Sequence, residues 1–207
     1  MTTGAEHPRR PGARAGLALL GYRGCGKSSV AARIASATGA KVIDTDEEIT
    51  RPTTRTIADI FAEEGETGFR RRESQVIAGL VRRLVAELKA TDAAAPERPA
   101  FVLSLGGGAV LDAKSVTAVR EVAVMIRLTA TPETIHRRIL GDGASPANRP
   151  ALTPEADLLV EIRRVLALRE ERYAAAAEAT VDTETWSVED VAIEALRHWR
   201  RLAPAQP

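Results

Sequence analysis

The segment Gly21-Tyr22-Arg23-Gly24-Cys25-Gly26-Lys27-Ser28 follows the spacing GxxxxGK[ST]. Its residue types specify a chemistry. Glycines let the backbone curl around an anion with its N–H groups pointing inward, and the N-terminus of the following helix adds positive potential. The lysine then reaches the β- and γ-phosphates, and the serine hydroxyl ligates Mg²⁺. The segment lies where this mechanism needs it, directly after the apolar run GLALL (16–20) and opening the helical pattern SSVAARIASATG. Gly24, Cys25, Gly26, Lys27, Ser28 and Ser29 are therefore the expected phosphate contacts. No DxxG or NKxD guanine signature follows, so ATP is the expected nucleotide. Cys25 has two readings: a small side chain tolerated in the loop, or a thiol made reactive by the helix N-terminus and Lys27.

Three further groups decide what the phosphate loop serves. Asp44 and Asp46 stand two residues apart at the end of an apolar run, where open α/β sheets bind ligands. Two carboxylates beside a polyphosphate repel it unless one assists a metal and the other binds a substrate hydroxyl. Either could instead cap the next helix, DEEIT, and Asp46 is the better placed for that. In Gly65-Glu-Thr-Gly-Phe69-Arg70-Arg71-Arg72-Glu73, Arg70 and Glu73 share a helix face, so the carboxylate can hold the guanidinium for a bidentate grip on a substrate carboxylate. Phe69 adds an apolar wall, while Arg71 and Arg72 read as a solvated, salt-bridged face. Gly106-Gly107-Gly108 follows FVLSL (101–105) and implies a close backbone approach to a ligand. No acidic residue ends FVLSL, which leaves Asp44 as the candidate metal carboxylate.

Strand-length apolar runs at 16–20, 41–44, 101–105, 122–128 and 179–183 alternate with helical patterns at 27–38, 56–63, 68–89, 131–140, 155–177 and 188–201. Near-continuous apolar strands suit a sheet covered on both faces, and the alternation predicts an α/β fold with a parallel sheet. Pro132 predicts the first turn of one helix, and Ser187 with Asp190 a capping box for another. The Arg-rich residues 1–15 and the tail 203–207 read as disordered, and Pro/Ala-rich 90–100 as a surface loop. With 29 Lys+Arg against 28 Asp+Glu, the charge balance gives no basic excess for nucleic acid. One cysteine and three histidines supply neither a disulfide framework nor a zinc cluster, and no apolar run approaches a membrane span. The expectation is a cytoplasmic protein with no membrane or nucleic-acid partner.

Taken in order, GYRGCGKSS, DTD, TIADIF…GFRRRE, LSLGGGAV, NRP and LREERY…VDT resemble the shikimate kinases, from about Gly16 to Leu202. The resemblance implies a three-layer P-loop kinase fold: a five-stranded parallel sheet in the order 2-3-1-4-5, flanked by helices, with a mobile lid at about 140–154. It implies a monomer that transfers the γ-phosphate of ATP to the 3-hydroxyl of shikimate, with Mg²⁺. By position, Lys27, Asp46 and Arg149 would be catalytic, Asp46 orienting or deprotonating the 3-hydroxyl and Arg149 reaching from the lid to the phosphates. Arg70 and Arg169 would hold the shikimate carboxylate, Glu73 would position Arg70, and Gly106, Gly107 and Gly108 would line the ring. Phe61 and Phe69 would form the apolar wall. Ser28 would hold Mg²⁺ directly and Asp44 through water. Related gluconate and nucleoside monophosphate kinases, and a catalytically silent nucleotide-binding module, are the competing readings. Two departures stand out. Thr185-Trp186 and Val188 occupy the adenine-side loop where the family usually carries Arg and Pro, so that adenine stacks on Trp186 or Trp186 merely packs. Tyr22-Arg23 stands where Met or Pro-Met is usual, and Arg23 reads as a solvent-facing side chain of the phosphate loop, with contact to the phosphates as the alternative.

Overall fold

In the computed structural model, described for residues 14–90, 97–141 and 157–203, the apolar runs become five strands. They are β1 (Gly16–Leu20), β2 (Lys41–Asp44), β3 (Phe101–Ser104), β4 (Ala123–Thr129) and β5 (Ala179–Asp182). All pair in parallel, in the order β2-β3-β1-β4-β5. Each strand is within two residues of its predicted bounds. Parallel pairing buries both faces, and the alternation along β1 shows it. Ala18 and Leu20 face one apolar cluster, and Leu17 and Leu19 the other.

The helices are α1 (Lys27–Thr38), α2 (Thr45–Thr50), α3 (Ile57–Ala90), α4 (Ala113–Val122), α5 (Pro132–Gly141), α6 (Leu158–Ala176) and α7 (Val188–Leu202). On one face of the sheet α3 contributes Ile77, Leu80, Val81 and Leu84, with Val119 and Val122 from α4 and Tyr173 from α6. On the other face Val30 and Ile34 of α1 pack with Val191, Leu196 and Trp199 of α7. The result is three layers around one sheet.

One helix, α4, was not anticipated, while the short helix expected over DEEIT is α2. The six residues of α2 are too few to show periodicity, and they are capped by Asp44, whose side chain accepts the Asp46 N–H at 2.9 Å. Asp46 therefore does not cap. The missed α4 is capped by Asp112, which accepts from the N–H groups of Lys114 and Ser115. The predicted helices 56–63 and 68–89 are the two parts of α3, separated at Gly65, whose φ of 66° and ψ of 178° are non-helical. The anticipated caps are present elsewhere: α5 begins at Pro132, and the Ser187 hydroxyl accepts from the Asp190 N–H.

The expected tail 1–15 is described only from Arg14, and the tail 203–207 only at Ala203. Residues 91–96 of the loop 90–100, residues 142–154 of the lid and Arg149 lie outside the described residues. No helix among the described residues is long and apolar enough to cross a membrane.

Candidate active site

The phosphate loop joins β1 to α1, and its backbone needs glycine at two places in particular. Gly24 and Gly26 have φ of 78° and 95°, a region L side chains rarely enter. Gly26 is also the N-cap of α1 and carries no side chain to close the turn, which leaves the first N–H groups of the helix open to an anion. Lys27 folds back over the loop, its Nζ donating to the carbonyls of Gly21 and Tyr22 at 2.9 and 3.0 Å. Cys25 is fully buried, and its side chain belongs to the apolar cluster beneath the sheet. A thiol packed in this way favours the packing reading.

Asp44 comes to the loop from the end of β2. Its partner in register on β3 is Ser104, the position where no acidic residue was found. Asp44 Oδ2 accepts from the Ser28 hydroxyl at 3.3 Å while Oδ1 caps α2. Two hard oxygen donors beside a phosphate site suit Mg²⁺, which takes most of its ligands from phosphates and water. Among the described residues no group of three or more His, Cys, Asp or Glu could hold a metal alone. The donor set thus fits a nucleotide-bound ion and not a dedicated protein cage.

These residues line a cavity of about 900 Å³, within the range of small-molecule sites. Gly24, Cys25, Gly26, Lys27, Ser28 and Ser29 all contribute, with Asp44 and Asp46. On the β5–α7 side the same cavity is lined by Trp186, Val188, Thr183 and Arg138. Trp186 is 48% exposed, so it is a cavity wall and not core packing. Arg138 of α5 is fixed by two bonds to Thr183, one to its hydroxyl and one to its carbonyl. Nothing in the run Arg137-Arg138 distinguished it beforehand.

A second, smaller cavity adjoins the first. Asp46, Phe61, Phe69, Arg70, Glu73, Gly107, Gly108 and Arg169 all line it, from five separate stretches of chain. Arg70 donates to Glu73 at 2.7 Å and lies over the ring of Phe69, 5.2 Å from its centroid. Phe61 and Phe69 stack with centroids 4.4 Å apart. Arg72 pairs with Glu64 on the outer face, and Arg71 is exposed, as expected of that face. Burial pushes the Glu73 carboxyl above the ordinary carboxylate range, against the pull of the Arg70 guanidinium; nearby Asp46 pushes it further up.

The glycine run is constrained by these charges. A Cβ on Gly106 would lie 2.7 Å from Asp46 Oδ1 and 2.8 Å from Glu73 Oε1, and one on Gly108 only 1.9 Å from Arg70 Nη1. Gly106 touches the carboxylates without lining the cavity itself. Its N–H donates to the hydroxyl of the buried Thr45 at 2.8 Å, and Thr45 in turn donates to the Ser104 carbonyl. The central letter of the DTD motif thus ties β2 to the glycine run, a role that attention to the two acids obscured.

Arg169 is 8% exposed and donates to the Gly107 carbonyl at 3.0 Å. Its acidic neighbours on α6 pair with other arginines. Glu170 takes a bidentate pair from Arg127 of β4, at 2.7 and 2.6 Å, and Glu161 pairs with Arg23. Tyr173, four residues on and so on the same helix face, donates to the same Gly107 carbonyl at 2.7 Å. Burial pushes its hydroxyl pKa up to about 12, so it stays a donor at any working pH. Arg127 stacks on the Tyr173 ring at 5.1 Å. Sequence reasoning missed Tyr173 and Arg127; the i,i+4 spacing from Arg169 would have found the first, and nothing local pointed to the second.

Arg23 differs from expectation. Its side chain is 11% exposed, not solvent-facing, and donates to Glu161 Oε1 at 2.7 Å. The carboxylate is itself buried at the start of α6, beside the Tyr22 hydroxyl. A buried anion on a distant helix draws the arginine in.

Residues 23–200 match the family model described as shikimate kinase. Curated shikimate kinases from Symbiobacterium thermophilum and Pelotomaculum thermopropionicum are 37% and 38% identical to the chain. The alignments cover 86% and 88% of this chain and 92% and 94% of those proteins. Among solved structures, a shikimate kinase from Acinetobacter baumannii in complex with shikimate superposes with a TM-score of 0.73 at 30% identity, covering 88% of this chain and 90% of that one.

Proposed function

The chain belongs to the shikimate kinase family, and from that premise we propose how its residues divide the work of phosphoryl transfer. It transfers the γ-phosphate of ATP to the 3-hydroxyl of shikimate, giving shikimate 3-phosphate and ADP. The observation that carries our assignment of roles is that Arg70, Arg169 and Asp46 line one small cavity next to the phosphate loop. Two guanidinium groups and an acid are the groups that a small polyhydroxylated carboxylate would require.

Such transfer needs little covalent help from the protein. It needs the acceptor held in line and the charge on the migrating group offset. Arg70 and Arg169 grip the shikimate carboxylate, which orients the ring with its 3-hydroxyl toward the larger cavity. Asp46 accepts the hydrogen bond of that hydroxyl and takes its proton as the new P–O bond forms. Lys27 leaves the Gly21 and Tyr22 carbonyls for the phosphates, with the open N–H groups of α1 beside it. Arg149, outside the described residues, is assigned to the phosphates from the lid side. Ser28 and Asp44 would hold Mg²⁺, the latter through water; the ion supplies positive charge to the phosphate oxygens. Phe61 and Phe69 wall the acceptor off from water, which limits transfer to solvent. The adenine lies against Trp186 and Arg138, so this chain replaces the family's usual pairing with an indole face. A cytoplasmic monomer acting on these small molecules completes the proposal.

A coupled ADP-release assay with shikimate, quinate, gluconate and AMP tests it. Turnover with shikimate is expected to exceed that with gluconate and AMP by at least ~100-fold, since gluconate lacks the ring and AMP the carboxylate, while quinate keeps both and should fall between. Equal turnover with AMP, which has no carboxylate, would remove the assignment of Arg70 and Arg169, and equal turnover with gluconate would remove the preference for the ring.

A further inference from the structure

Phosphoryl transfer carries a charged group from the larger cavity into the smaller one, so the residues that line both mark its route. Among the described residues these are Arg23, Asp46 and Ile57. Asp46 is an acid and Ile57 is apolar. Arg23 is therefore the one cation at the crossing, and it belongs to the phosphate loop itself. Its position is fixed from a distance. Glu161, only 3% exposed at its side chain, accepts from Nη2 at 2.7 Å, and the guanidinium lies near the Tyr22 ring, 5.8 Å from its centroid. One end of the planar fork is thus anchored. The Nε–H is buried and has no acceptor among the described residues.

A buried donor without a partner is costly, and a fork with one end anchored by a carboxylate presents its other donors without further ordering. Lys27 and the helix N-terminus face the donor side of the reaction, in the larger cavity. On the acceptor side Arg70 and Arg169 are taken up by the shikimate carboxylate, so without Arg23 a new phosphate dianion would meet Asp46, with Glu73 nearby. We propose that Arg23 is a catalytic residue for this reaction. Its guanidinium contacts the phosphoryl group as it reaches the 3-hydroxyl, and it remains a ligand of the phosphate in shikimate 3-phosphate. Glu161 is the positioning residue that holds it at the crossing. This inference rests on the shikimate kinase reading of the two cavities.

The consequence is selective: Arg23 serves the phosphorylated acceptor and not shikimate itself. The test uses the full chain. Turnover of the unmodified protein with ATP and shikimate is measured first, and its absence would remove the functional reading, not this inference. In Arg23→Met, kcat is expected to fall ~100-fold, the size seen when one charge-stabilising donor is lost. Calorimetric titration should show shikimate binding within about threefold of the unmodified protein, with shikimate 3-phosphate weakened at least about tenfold, as for a lost charge-assisted hydrogen bond. Arg23→Lys should recover part of both. Equal weakening of shikimate and shikimate 3-phosphate would make Arg23 structural, and unchanged kcat would remove it from the crossing; either result overturns the proposal. If Arg23→Met does not fold by thermal melting, Arg23→Gln, which keeps an amide donor for Glu161, carries the same expectations and the same two overturning results.

Discussion

On the roles proposed above, the two cavities solve the same problem, holding an anion beside a reacting oxygen, in opposite ways. In the larger cavity the phosphate loop itself is one short stretch, Gly21 to Ser29, whose shape comes from backbone torsions and the start of α1. The acid-binding side draws Asp46 from α2, Phe61 and Arg70 from α3, two glycines from the loop after β3, and Arg169 from α6. There the geometry is held by side-chain bonds between elements, such as Tyr173 and Arg169 converging on the Gly107 carbonyl. A local site tolerates changes elsewhere in the fold. An assembled site transmits them, and substitutions on the acid side should therefore alter shikimate handling while leaving nucleotide binding alone.

Asp46→Asn separates the two sides most strongly. The amide keeps the size of the carboxylate but cannot take the hydroxyl proton, and kcat should fall by ~10³-fold, within the range for a lost general base. Nucleotide affinity, followed by titration with ADP, should remain within about threefold. A comparable loss of ADP affinity would mean that the acid also shapes the phosphate loop, and the contrast between a local and an assembled site would fail.

Gly108→Ala is the next sharpest change, because it adds only a methyl group. That methyl would lie 1.9 Å from Arg70 Nη1, so the guanidinium must move away from Glu73 and from the acceptor. We expect KM for shikimate to rise ~30-fold, about the worth of one charged hydrogen bond, with KM for ATP unchanged. Steady-state kinetics at saturating levels of each partner in turn reads the split. A rise in both constants would place the strain in the backbone and not in Arg70.

The same contrast explains what the sequence could and could not announce. The phosphate loop, Asp44 and all five strands are local patterns, and β1 and β2 match their predicted bounds, 16–20 and 41–44. The helix α4 was invisible because AKSVTAVREV is rich in β-branched residues of weak helix propensity; Asp112 was its only clear start signal. At α3 the expected interruption falls at Gly65, where the backbone leaves helical torsions before the second part begins. The acid-side residues Arg70, Glu73 and Gly106–Gly108 were legible because each group carries its own local logic. Arg23, Arg127 and Glu170 were not. Their partners lie 138 residues away for Arg23–Glu161 and 43 for Arg127–Glu170, and no spacing rule spans such separations. Arg23 was misread for that reason: in isolation a loop arginine belongs in water, and only the fold brings Glu161 to it.

The smallest expected effect is a pH dependence confined to the acid side. Burial holds the Glu73 carboxyl above the ordinary carboxylate range, so as pH falls it takes a proton before exposed acids do, which titrate near ~4.3. Once neutral, it no longer holds the Arg70 guanidinium as an ion pair, and on the proposed role the arginine is freer to leave the shikimate carboxylate. KM for shikimate should therefore rise about fivefold on an acid limb whose midpoint lies above the usual glutamate value. Changes in ATP ionisation also enter any acid profile, so the informative quantity is the difference from Glu73→Gln. That variant has no proton to gain at this position. Its KM for shikimate should be higher than that of the unmodified protein near neutrality, and it should lack the limb. The ATP profiles of the two proteins should coincide, because Glu73 touches Arg70 and approaches Gly106 on the acid side while the phosphate loop is held by its own backbone. An acid limb that survives in Glu73→Gln would assign the titration to another group on this side, with Asp46 the next candidate.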